Sequence, residues 1–146
     1  MSDSDLINLY SKQILALAAD IPHLGSLPTP DARVKKRAPL CGSTVSVDLT
    51  VDGDRVGSFA QTVKACALGQ ASASILGAHV TGATRASLQD ARDALATMLT
   101  ADGPTPPSPF EALEVLRPAR EFKNRHASIL LAWDATLAAF DEARAD

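Results

Sequence analysis

The segment from Val45 to Val63 constrains this chain more than any other. Val45, Val47, Leu49 and Val51 alternate with Ser46, Asp48, Thr50 and Asp52, the period-2 pattern of an antiparallel strand with one face buried and one wet. Asp52-Gly53-Asp54 follows directly, and Gly accepts the positive φ that a tight hairpin turn requires. Arg55 to Val63 reads as the returning strand, and the pattern changes to helical between Thr62 and Cys66.

Helical signals fill most of the remainder. Leu6, Tyr10, Ile14 and Leu17 recur at helical spacing behind a cap at Asp3 or Ser4, and Pro22 stops that helix. Residues 21–40 are rich in Pro and Gly, then basic, and read as a tether with little regular structure. Leu68, Ala71, Ile75 and His79 form one stripe of a small-residue helix from about Cys66 to Val80. Thr84 caps the next, with Leu88, Ala91, Leu95 and Met98 on one face, and Gly103 with Pro104 ends it as a C′ glycine and a breaker. Ser108-Pro109-Phe110-Glu111 reads as a capping box opening a short helix. Pro118 opens the last helix, whose buried stripe is Leu130, Trp133, Leu137 and Phe140, with Asp141 to Asp146 fraying into solvent. Strands first and helices after predict an α+β fold: a small antiparallel β-sheet with helices packed on one face, as a single domain over residues 1–146 with 1–40 as helix plus tether.

Composition excludes several classes. With 46% apolar and 21% charged residues the chain is neither disordered nor collagen-like. No apolar run approaches the ~18 residues of a membrane span. Met1 to Asp5 is acidic and lacks the basic n-region of a secretory signal, so the expected location is cytoplasmic. The basic cluster Arg33, Lys35, Lys36 and Arg37 is short, and four Phe, one Tyr and one Trp are too few rings for a stacking platform, so nucleic acid is not an expected partner. The motifs G-x-S-x-G, H-E-x-x-H, the P-loop and the dinucleotide fingerprint are all absent from the sequence, and Asp90 with Asp93 reads as a solvated pair. An enzyme is not expected.

Two cysteines remain, Cys41 and Cys66. A buried free cysteine is ordinarily a small hydrophobe. Their surroundings point further. Cys41 stands at the entrance of the first strand, on the same side as Ser43, and Gly42 lets another group approach the backbone. Cys66 falls at a helix N-terminus, where unpaired N–H groups favour the thiolate that binds metal or accepts sulfur. The hairpin lies between them and can bring the two thiols together.

These residues carry a family resemblance. Ala38-Pro39-Leu40-Cys41-Gly42 followed by an alternating strand resembles the first cysteine motif of the iron–sulfur cluster scaffolds of the NifU N-terminal, IscU and SufU type. Lys64-Ala65-Cys66-Ala67-Leu68-Gly69-Gln70-Ala71-Ser72-Ala73-Ser74 resembles their second motif, and Arg125 to Ala135 the helix that opens at their third cysteine. The long spacing with its Pro-rich bridge is more similar to SufU. The resemblance implies a SufE/NifU-like fold and binding of iron or an iron–sulfur cluster, with zinc as an alternative metal. It further implies a cysteine desulfurase and recipient apo-proteins as partners. Two departures weaken the site: Ser43 stands where the family has Asp, and the third cysteine is missing, with Ser128 or Ala127 at its place depending on alignment. The metal-ligand expectation is therefore Cys41, Cys66 and His126, the histidine sharing the stripe of Leu130 four residues on. Two thiols per chain also imply a homodimer when a cluster is loaded. The alternatives are a sulfur relay carrying persulfide on Cys41, and a paralogue that keeps the fold and no longer handles metal. His23 and His79 are expected in a loop and on the surface.

Overall fold

The computed structural model describes residues 11–39 and 42–144. The hairpin forms as its alternation requires. β2 (Thr44–Asp52) and β3 (Arg55–Lys64) pair antiparallel through a two-residue turn, with Gly53 at φ +66°. Val45, Val47 and Leu49 of β2 are buried against the helices.

A third strand joins them. Residues 21–40 are not a bare tether, because β1 (Ala32–Arg37) pairs with β2, giving the sheet order β1-β2-β3. Its alternation is disguised by small and basic residues: Ala32 and Ala38 are buried while Arg33, Lys35 and Arg37 stay exposed. The segment before it also covers the far edge, where Gln61 of β3 exchanges backbone hydrogen bonds with His23 and Gly25.

The connection back to β1 is held by a buried charge. Asp48 accepts Arg33 Nε–H and Nη2–H at 2.9 Å each and Leu27 N–H at 3.0 Å. The bond from Arg33 holds the Asp48 carboxyl below the usual carboxylate range, against the upward push of burial. A depressed folded pKa contributes stability above the unfolded value of about 3.9 and loses it as pH falls toward the folded value. The urea midpoint should therefore fall on acidification below about pH 4, and Asp48→Asn should remove part of that slope. A variant with the full wild-type slope would show that Asp48 is not its source.

Helices cover the sheet. The stretch with the expected first cap, residues 1–10, lies outside the described residues; helix α1 is described over Lys12–Ala19, with Ser11 Oγ accepting Ile14 N–H. α2 (Ala67–His79) is capped by Cys66, and α3 (Arg85–Ala101) by Thr84, whose Oγ1 accepts Ser87 N–H at 3.1 Å. The left-handed residue closing α3 is Asp102 (φ +53°) rather than Gly103. Gly103 is needed for space instead, since a Cβ there would lie 2.7 Å from Thr97 Cγ2.

The expected capping box does not form. Residues Glu111–Glu121 make a 3-10 helix capped by the backbone of Phe110, and Pro118 lies inside it rather than opening the last helix. Tertiary packing decides this: Phe110 is fully buried, edge-on to Trp133 with ring centroids 5.0 Å apart. After a 3-10 turn at Lys123–Arg125, α4 runs over His126–Arg144, beyond the expected fraying point, and Asp141 is tied to Arg85 at 2.6 Å. α4 packs across the sheet, and Trp133, Leu137 and Phe140 are buried as expected while Leu130 is half-exposed. Among the described residues no helix is long and apolar enough to cross a membrane.

Candidate metal and sulfur site

β3 ends at Lys64, so the hairpin delivers Cys66 to the end of the sheet, where it caps α2 with its thiol half-buried. Cys66 Sγ lies 3.6 Å from Ser128 Oγ, and Ser128 Oγ lies 3.0 Å from Ser43 Oγ. Three elements converge here: the entrance of β2, the start of α2 and the first turn of α4. Ser43 and Ser128 are 5% and 2% exposed, so each hydroxyl meets the other instead of water.

Burial pushes the Cys66 thiol up, but the groups around it prevail. The Gly69 N–H, the Ser128 hydroxyl, the Arg125 guanidinium and the Leu68 N–H together hold it below its ordinary value. The Cys66 side chain closes no cap hydrogen bond on α2; the thiolate is favoured by hydrogen-bond donors, one of them charged, gathered at a helix N-terminus. Nothing in the sequence marks Arg125 as a site residue; it closes the 3-10 turn that leads into α4, three residues before Ser128.

Close packing fixes the distance between α2 and α4. A Cβ at Gly69 would fall 2.6 Å from Ser128 Oγ, 2.9 Å from Ala65 Cβ and 3.0 Å from the Ser128 carbonyl oxygen. Gly69→Ala should therefore cost about 1–3 kcal/mol by overpacking. Urea unfolding checks this, and a neutral result would mean that α4 yields freely at the site.

Cys41 lies outside the described residues, as does its expected nearness to Cys66. Its flanks are placed: Ala38 N–H donates to Ser43 O at 2.8 Å, and Gly42 N–H donates to Ala38 O at 3.0 Å with Gly42 at φ +71°. Of the two residues competing for the third cysteine's place, Ser128 faces Cys66 and Ala127 is exposed.

His126 is not brought to this cluster. Its Nε2 is 3.0 Å from the Ala119 carbonyl oxygen, and it lines a separate cavity with Leu99, Thr100 and Arg120. Residues two apart on a helix do not face each other, so turning Ser128 to Cys66 turns His126 away. His23 and His79 are exposed and edge-on to Phe59 and Phe110. Among the described residues no three His, Cys, Asp or Glu side chains gather in a group suited to a metal ion.

No family model and no curated protein matches the chain. Solved structures do. The N-terminal part of a nitrogen-fixing NifU-like protein from Brucella abortus is 42% identical, with a TM-score of 0.92 over 94% of this chain and 96% of that one. A protein from Fervidobacterium islandicum described as an iron–sulfur cluster assembly scaffold for the SUF system superposes with a TM-score of 0.81 at 17% identity, over 92% of this chain and 98% of that one. The latter likeness shows the fold alone. The α+β architecture with its three antiparallel strands, and 42% identity to the Brucella structure over nearly the full length of both chains, place this chain in the NifU-like N-terminal domain family.

Proposed function

We propose that this chain is an assembly scaffold that receives iron or an iron–sulfur cluster as cargo, held by the thiolates of Cys41 and Cys66. The observation that supports it most is the half-exposed Cys66 at a helix N-terminus, its thiolate favoured by Ser128, Arg125 and backbone N–H groups, in a chain 42% identical to a NifU-like domain. The donor set of one chain is incomplete. Ser hydroxyls at positions 43 and 128 are poor ligands beside thiolates, and a [2Fe–2S] cluster ordinarily takes four thiolates. Two chains supply four, so the loaded form is a homodimer bridged by its cargo. The chain binds and hands on; it does not catalyse. A cysteine desulfurase supplies sulfur, apo-proteins receive the product, and the whole operates in the cytoplasm.

A second reading draws on the donors around Cys66. A thiolate so supported attacks the outer sulfur of a donor protein's persulfide, the donor's S–S bond breaks, its thiolate leaves, and Cys66 carries the persulfide. This relay would use Cys66 instead of the Cys41 first expected.

Anaerobic reconstitution followed by iron and acid-labile sulfide analysis separates these readings. The scaffold requires cluster absorbance that Cys41→Ser abolishes. His126→Ala reports on the imidazole: retained iron assigns the cargo to thiols alone, and lost iron adds His126 to the ligands. A mass increase of one sulfur on Cys66 with no metal bound supports the relay and contradicts the scaffold.

A further inference from the structure

α4 is buried on most sides, yet one seam stays open. Ala127, Leu130, Asp134, Ala138 and Asp141 follow one another at spacings of three and four and are all at least partly exposed. The Lys36–Pro39 end of β1 and its exit runs beside this seam, Gln89 and Arg92 of α3 stand across from it, and the groove between them holds about 640 Å³. Its two carboxylates are already engaged, Asp134 by Arg92 at 2.8 Å and Asp141 by Arg85 at 2.6 Å. Lys35, Lys36 and Arg37 differ. They are exposed, and none of the ion pairs among the described residues includes them. A chain with net charge −3 thus places two unpaired cations, Lys36 and Arg37, at one end of this groove.

Cations on an edge strand also blunt it against aggregation, which accounts for Lys35, whose side of β1 Arg37 shares at the strand's end. It does not account for Lys36 and Arg37 lining a groove whose floor is Leu130, Leu131 and Leu137. One end of the groove adjoins the candidate site as well: a Cβ at Gly42 would lie 3.9 Å from Arg37 Nη2.

We propose that this groove seats an acidic, leucine-bearing segment of a partner protein, its carboxylates meeting Lys36 and Arg37 and its apolar side chains covering the open seam of α4. A segment so held ends beside Gly42, next to the cluster of Ser43, Ser128 and Cys66. The inference rests on the scaffold reading for the partner's purpose, and on the groove alone for its chemistry.

The test uses a fluorescein-labelled eight-residue peptide of alternating glutamate and leucine, read by anisotropy and by amide chemical shifts of the full chain. Saturable binding is expected, with shifts confined to residues 36–39 and 127–138. Lys36→Glu with Arg37→Glu should weaken it on the order of tenfold, and added salt should weaken it too. Both positions are exposed, and Lys36→Gln with Arg37→Gln, which adds no negative charge, should give a smaller loss of the same sign. Cys66→Ser should leave peptide binding unchanged, whereas wild-type protein that binds the peptide and holds no cluster after anaerobic reconstitution defeats the scaffold reading and not this one. Absence of saturation, equal binding of a lysine–leucine peptide, shifts centred on Arg120 and Lys123, or displacement of the peptide by a DNA oligonucleotide seated on the same residues would each overturn the proposal.

Discussion

Cys66→Ser is expected to reduce bound iron and sulfide to background while leaving the fold intact. Cys66 is half-buried and closes no side-chain cap hydrogen bond on α2. Serine is among the preferred N-cap residues, so the variant should keep or slightly raise stability, by up to about 1 kcal/mol. Loss of cargo in a protein that unfolds at the wild-type urea midpoint then reports on the thiolate alone. Retention of a full complement of iron and sulfide by this variant would remove Cys66 from the ligand set.

The largest effect on stability is expected at Trp133. Its ring is fully buried, edge-on to Phe110, and its Nε1–H donates to Ser72 Oγ at 3.0 Å. Ser72 Oγ in turn donates to the Ile129 carbonyl at 2.7 Å, so one indole ties α2, α4 and the 3-10 segment together. Trp133→Ala should cost about 3–5 kcal/mol from lost transfer energy and the cavity left behind. That corresponds to a fall in Tm on the order of 10 °C for a chain of this size. Trp133→Phe should cost much less, because Ser72 keeps its Ile129 acceptor and the ring contact with Phe110 survives. An alanine variant within about 1 kcal/mol of wild type would mean that the surrounding helices collapse to fill the space.

Where local chemistry dictates structure, the sequence is readable. The β2–β3 hairpin follows from strict alternation and one glycine at positive φ. Thr84 is a cap because its hydroxyl reaches Ser87 N–H. Cys66 is legible as a helix start, because strand periodicity ends at Lys64 and helical periodicity begins at Ala67. Tertiary demands are hidden. β1 exists because β2 offers it an edge, while its own residues are mostly basic and small. The Glu111–Glu121 segment is 3-10 because Phe110 must reach Trp133. At the site, the sequence leaves Ser128 and Ala127 as alternatives, and it takes the fold to turn the Ser128 side chain toward Cys66. His126 shares a helix face with Leu130 in the sequence, while the 3-10 segment folding back beside α4, which no sequence pattern marks, presents the Ala119 carbonyl to it.

The ligand arithmetic admits one decisive measurement. Light scattering coupled to size exclusion, run without oxygen on apo and reconstituted protein with iron and sulfide counted per chain, gives the mass of the species that holds the cluster. One chain weighs 15.3 kDa and carries two cysteines. Apo protein should run as the monomer, and loaded protein at twice 15.3 kDa with two irons and two sulfides per pair of chains, the four thiolates of a [2Fe–2S] centre. A cluster-loaded species of 15.3 kDa would contradict it, because one chain would then be holding its cargo with ligands other than Cys41 and Cys66 alone.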